Sequence, residues 1–145
     1  MMATGNGDIF LAKLDATGAG IWNQHFGDSA SANINVEQVV TVDSAGNPTL
    51  AGGLYGNADF GGGSLVGSEQ ASPFPYVAGF DAAGTYAWAY VGDGGGAVQG
   101  LSHDAANDVV LAGGVSFQAQ SVVTFAGGTF DQGGQTDTIL AVLAP

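Results

Sequence analysis

The chain has 145 residues, 46% of them hydrophobic, which is enough apolar material for one packed domain. Thirteen acidic residues face a single basic one, Lys13, and the formal net charge of -12 leaves nothing to neutralise nucleic-acid phosphates or to hold an anionic membrane surface. No apolar run approaches the roughly 18 residues of a membrane helix, MMATGNGD lacks the basic and apolar regions of a signal peptide, and the absence of cysteine removes disulfides and thiolate metal sites.

The first predicted elements are strands over Ile9–Leu14 and Ile21–Phe26, joined by Asp15-Ala16-Thr17-Gly18. Asp at the first corner of a type I turn accepts hydrogen bonds from backbone further along. Gly at the fourth position tolerates positive φ, so the chain re-enters a strand through a bulge. VVTVDSAGNPTLAGG (Val39–Gly53) repeats this chemistry at Asp43-Ser44-Ala45-Gly46, and its closing Gly pair allows close approach or a bend. The run Phe60-Gly61-Gly62-Gly63 then reads as a glycine-rich connector. A third turn, Asp81-Ala82-Ala83-Gly84, leads into a strand in which Tyr86, Trp88 and Tyr90 alternate with Ala87, Ala89 and Val91, an arrangement that puts the three large aromatics on one face. The fourth, Asp104-Ala105-Ala106-Asn107, lies in GLSHDAANDVVLAGG (Gly100–Gly114) and is followed by a second connector, Phe125-Ala126-Gly127-Gly128, and a final strand reaching Leu143. No 3.6-residue apolar period runs far enough to predict a helix.

Two hairpin types alternate. Asp15/Asp81, Gly18/Gly84 and Trp22/Trp88 coincide at an offset of 66 residues; Asp43/Asp104 and the shared LAGG endings coincide at an offset of 61. The unit is therefore two hairpins, four antiparallel strands, in about 60 residues. That is the description of a β-propeller blade, in an all-β fold; two repeat sheets packed as a sandwich are the alternative. Trp22 and Trp88 are expected to fill the space between successive blades as core.

The strings DIFLAKLDATGAGIW…FGD, VVTVDSAGNPTLAGG and ADFGGGSL resemble the bacterial seven-bladed β-propeller repeats found in secreted and surface proteins of myxobacteria and relatives, over Asp8 to Leu143. The resemblance implies propeller blades and an extracellular or cell-surface location, and carries no shared catalytic motif. The chain departs from the pattern at His103 and Asn107, which stand for an apolar residue and Gly, and in lacking basic residues after the Trp.

On this reading 8–28 is the second half of one blade, 36–93 a whole blade and 98–143 a blade without its last strand, about two and a quarter blades. A propeller closes with at least four, so copies of the chain are expected to complete a ring, as a trimer of six blades or a tetramer of eight. The alternative is an excerpt from a longer propeller.

Chemistry-bearing residues are sparse. His25 and His103 fall in different strand types and read as exposed or edge residues, and His103 and Asp104, as strand neighbours, point to opposite faces. Asp28, Asp59, Asp93, Asp108 and Asp131 lie in glycine-rich loops and could supply oxygen ligands to Ca²⁺, but without EF-hand spacing they read first as turn caps. Trp22, Trp88, or Phe74 and Tyr76 exposed beside Pro73 and Pro75, are candidates for stacking sugars. The expected function is a non-enzymatic binding or structural module with no cofactor, whose partners are itself and glycans or other proteins. A lectin-like ring is the alternative, and a glycan-acting enzyme with paired carboxylates the third reading.

Overall fold

The structure, a computed structural model, describes residues 8–27, 36–69, 72–116, 122–131 and 136–144. Among these the chain is all-β, with thirteen strands: β1 (Ile9–Leu14), β2 (Gly20–Phe26), β3 (Val36–Val42), β4 (Pro48–Leu54), β5 (Asn57–Asp59), β6 (Ser64–Val66), β7 (Phe74–Phe80), β8 (Tyr86–Val91), β9 (Gly96–His103), β10 (Val109–Ser116), β11 (Val122–Phe125), β12 (Gly128–Asp131) and β13 (Thr136–Leu143).

The strands form three main antiparallel sheets. Sheet I is the hairpin β1-β2, sheet II the meander β3-β4-β7-β8, and sheet III the three strands β9-β10-β13. Both glycine-rich connectors turn out to be hairpins, β5-β6 and β11-β12, inserted at the same point of their units, between second and third strands. Their turns explain why they pair. Asp59 accepts hydrogen bonds from Gly61 N (2.7 Å) and Gly63 N (3.1 Å). Ala126 and Gly127 hold positive φ (48° and 81°) between the paired residues Phe125 and Gly128, the two-residue geometry that matches strand twist.

Sheet II is the middle layer, so β4 is buried along its whole length, as strands covered on both faces are. Its front face, bearing Leu50, Tyr76, Ala78 and Phe80, packs on Ile9, Leu11 and Phe26 of sheet I and on Ala58 and Phe60 of the inserted hairpin. Phe26, Phe60, Phe80 and Tyr76 form a chain of ring contacts with centroids 5.0–5.2 Å apart. Its rear face, with Ala51 and Val77, packs on Val98, Val109, Leu111, Val115 and Ile139 of sheet III and on Phe125. The Gly52-Gly53 pair lets these layers close: a Cβ on Gly53 would lie 2.8 Å from Pro73 and 3.1 Å from Ala97.

Two expectations are corrected here. Phe74 and Tyr76 are not an exposed loop surface. Both belong to β7, paired with β4 and β8 on its two sides, and Tyr76 is 0% exposed, its hydroxyl donating to Gln38 Oε1. Tyr86 does not share a face with Trp88 and Tyr90. Phe80 pairs with Tyr86 but Gly79 with Trp88, so Ala87 is a bulge that turns Tyr86 to the front of sheet II, while Trp88 packs at the rear.

Candidate functional site

The four Asp turns share one geometry, and their carboxylates are held by backbone. Asp15 Oδ1 accepts from Thr17 N (2.8 Å), Ala19 N (2.9 Å) and the Thr17 hydroxyl (2.6 Å). Asp43 accepts from Ala45 N and Asn47 N, Asp81 from Ala83 N and Thr85 N, and Asp104 from Ala106 N and Asp108 N. Gly18, Gly46 and Gly84 take φ of 83–87° and Asn107 takes 66°, the left-handed corner expected of them.

These bonds hold three of the carboxyl groups below their ordinary value of 3.8. For Asp15 the largest cause is the Thr17 hydroxyl, for Asp43 the Asn47 amide and for Asp81 the Thr85 amide. A lowered folded-state pKa means that the unfolded chain takes up protons first. The stability these turns contribute is complete above the ordinary value and disappears as pH falls through it to the folded-state value. The thermal midpoint is expected to stay level down to about pH 5 and to drop steeply below about pH 4. The triple variant D15N/D43N/D81N should show a shallower drop over the same range, because Asn cannot titrate. Thermal melts at stepped pH check this.

Successive layers meet turn to turn. From sheet I, Trp22 Nε1 donates to Ala82 O (3.0 Å), Lys13 Nζ to Ala82 O (3.3 Å) and Gln24 Nε2 to Gly84 O (3.0 Å), so three side chains clasp the Asp81 turn of sheet II. From sheet II, Ser44 N and Oγ donate to Asn107 Oδ1 on the Asp104 turn of sheet III (3.3 and 3.0 Å). Trp22 lies so close over Gly84 that a Cβ there would sit 2.9 Å from its ring, in a backbone region that already costs an L-residue about 1–2 kcal/mol. Gly84→Ala is therefore expected to lower stability by about 2 kcal/mol or more and Gly18→Ala, which meets nothing within 4 Å, by only the backbone part. Urea titrations of the two variants separate the terms.

Trp88 repeats the position of Trp22 and is half-buried across Gly79, against sheet III. It opens onto a groove of about 340 Å³ between sheets II and III, bounded by Asp43, Asp81, His103, Asn107 and Asp108. His103 lies on the edge strand β9, half-buried rather than exposed, with Nε2 3.2 Å from Thr49 Oγ1. His25 is paired differently, its Nε2 2.6 Å from Oδ2 of buried Asp8. The structure thus keeps the two histidines apart, on sheets I and III.

Of the calcium candidates, Asp59 caps the β5-β6 turn, Asp93 Oδ1 accepts from Thr124 N (2.6 Å) and Asp108 follows the Asp104 turn. Asp28 lies outside the described residues, as does the side chain of Asp131. Among the described residues no three His, Cys, Asp or Glu gather to hold a metal ion.

The other surface feature is apolar. Phe10 and Leu14 face outward from sheet I, Val40 and Val42 from the part of β3 that sheet I leaves open, and Leu140 and Val142 from the rear of sheet III. By repeat position Phe10 corresponds to Tyr76 and Leu14 to Phe80. Leu140 pairs with Ala112 as Val77 pairs with Ala51. Yet Phe10 is 52% and Leu140 73% exposed, whereas Tyr76 and Val77 are both 0%. Sequence reasoning missed the groove and this contrast, although the equal spacing of each Trp from its Asp turn was a signal for the first. The chain matches no protein-family model and no curated protein sequence.

Proposed function

We propose that the chain is a non-enzymatic binding and structural module, built of propeller-type blades, that extends its stack of sheets by docking copies of itself front face to rear face. The observation that carries this is the contrast just described. Phe10, Leu14 and Leu140, open at the two outer faces, occupy the repeat positions of Tyr76, Phe80 and Val77, which are covered where one sheet meets the next. Burying a side chain such as Leu140 or Phe10 contributes about 1.5–3 kcal/mol, and a front-to-rear contact is heterologous, so it can propagate around a ring. A non-catalytic role is supported by the occupation of five carboxylates, Asp15, Asp43, Asp59, Asp81 and Asp104, which cap their own turns.

Light scattering of the 145-residue chain at micromolar concentration tests the proposal. The expected mass is a whole multiple of 14.3 kDa, and a monomer at every concentration overturns it. Because each copy carries a formal charge of -12, association should tighten with salt. Raising sodium chloride from about 20 to about 300 mM shortens the screening length from roughly 20 to 6 Å and should lower the dissociation constant several-fold.

A further inference from the structure

We propose that the front-to-rear contact takes up a proton at His25, so that copies of the chain associate more tightly at about pH 6 than at about pH 8. This rests on the self-docking reading above and adds how that contact is regulated. One difference between the repeat units points there. Phe10 pairs with His25 as Tyr76 pairs with Val91, and at the same offset of 66 residues Asp8 stands at the position of Phe74. Val91 packs on the core that sheet I covers. Two apolar positions of the inner unit thus hold a histidine and a carboxylate on the outer face, with His25 Nε2 2.6 Å from Asp8 Oδ2. His25 also lies against exposed Phe10, the ring centroids 5.1 Å apart.

The surroundings of the pair are uncharged. By strand alternation Phe10, Ala12, Leu14 and Asn23 share the front of sheet I with it, whereas Lys13 reaches from the other face to Ala82 O and Asp15 caps the turn at the far end. The rear of sheet III brings no charge either. Ala112, Val110 and Ser102 align with Leu140 and Val142 across it, and Asp137 alternates to the other side of β13, opposite buried Val115. The Asp8 side chain is already 0% exposed, and His25 keeps 23%. Covering this face strips the remaining water from the pair. With His25 neutral the pair carries a net negative charge, and with His25 protonated it is an ion pair with none. The net charge is the harder of the two to take out of water, so docking favours protonation from solvent, and by reciprocity protonation favours docking. Histidine changes charge between about pH 5 and 8, above the range in which Asp15, Asp43 and Asp81 titrate.

Sedimentation velocity of the 145-residue chain at about pH 8 and about pH 6 tests this. About 300 mM sodium chloride, with a screening length of roughly 6 Å, mutes the repulsion between whole copies. The dissociation constant is expected to fall about tenfold between the two pH values; one proton per contact allows at most about tenfold per pH unit. His25→Gln, which keeps a donor for Asp8 but does not titrate, should flatten the profile. His25→Lys, charged at both pH values, should also be flat and should associate more tightly than His25→Gln at about pH 8. His103→Gln, on sheet III and away from this face, should keep the wild-type slope. Thermal melts at both pH values establish that the variants are folded. An assembled wild type whose dissociation constant is the same at both, or a His25→Gln profile as steep as the wild type's, overturns the proton coupling and leaves the self-docking reading standing. A wild-type chain that stays monomeric at both pH values overturns both.

Discussion

Leu140→Asp is expected to turn the assembled chain into monomers, with the dissociation constant raised at least about 100-fold. Two effects add. The variant forfeits the burial of a leucine, about 1.5–3 kcal/mol, and it asks an unpaired carboxylate to enter an apolar contact, at a cost of several kcal/mol; 2.7 kcal/mol already makes a factor of 100. The monomer itself should remain intact, because Leu140 is 73% exposed and its neighbour Ile139 supplies the inward contact with the core of sheets II and III. Val142→Asp should act alike. Val66→Asp is the control: Val66 is as exposed as these residues but lies on the inserted β5-β6 hairpin rather than on sheet I or sheet III, and should leave the mass unchanged. Sedimentation velocity with parallel thermal melts measures both quantities. A Leu140→Asp chain that keeps the wild-type mass would remove the rear of sheet III from the interface.

Tyr76→Ala should be the most damaging single substitution within the fold, lowering unfolding free energy by about 3–5 kcal/mol. Tyr76 is among the largest fully buried side chains, stacks on Phe60 and crosses from the centre of sheet II to Gln38 on β3. Removing the ring leaves a cavity between sheets I and II that paired strands on both sides cannot collapse to fill. Against the 5–15 kcal/mol typical of a domain, that is a large share. Tyr76→Phe keeps the ring and loses only the bond to Gln38, so it should cost about 1 kcal/mol. Burial drives the phenol pKa upward, so the hydroxyl stays protonated and the bond survives into alkaline solution. Urea unfolding of the two variants distinguishes packing from hydrogen bonding; equal losses would mean that the bond, not the ring, matters.

Much of this architecture was legible in order along the chain. The nine strands outside the two inserted hairpins, the four turns and the positive-φ corners follow from Asp and Gly at set spacing, because each turn is closed by bonds within five residues. The inserted hairpins were readable too, but only by extending that rule. Asp59 binds the amides two and four residues on, as Asp15, Asp43, Asp81 and Asp104 do, and the surrounding glycines disguise it as a connector. Tyr86 shows the opposite failure. The turn chemistry that places Gly84 at positive φ also implies a bulge after it, and simple alternation carried through that bulge assigns Tyr86 to the wrong face.

The candidate site was less legible. Trp22 and Trp88 were marked by repeat position as inter-sheet residues, yet nothing in their flanks distinguishes the one whose N–H is satisfied from the one that borders a groove. Phe74 and Tyr76, flanked by prolines, suggested a loop, but pairing with β4 made both of them strand, and pairing on both sides made Tyr76 core.

The sequence by itself determined where strands begin, how they turn and in what order they pair, since those choices are made by hydrogen bonds between near neighbours. Only the tertiary structure decided what is buried. Phe10 and Tyr76 occupy the same position of two successive repeat units, and what sets their burial apart is whether another sheet lies in front of them. Burial belongs to the neighbour as much as to the residue.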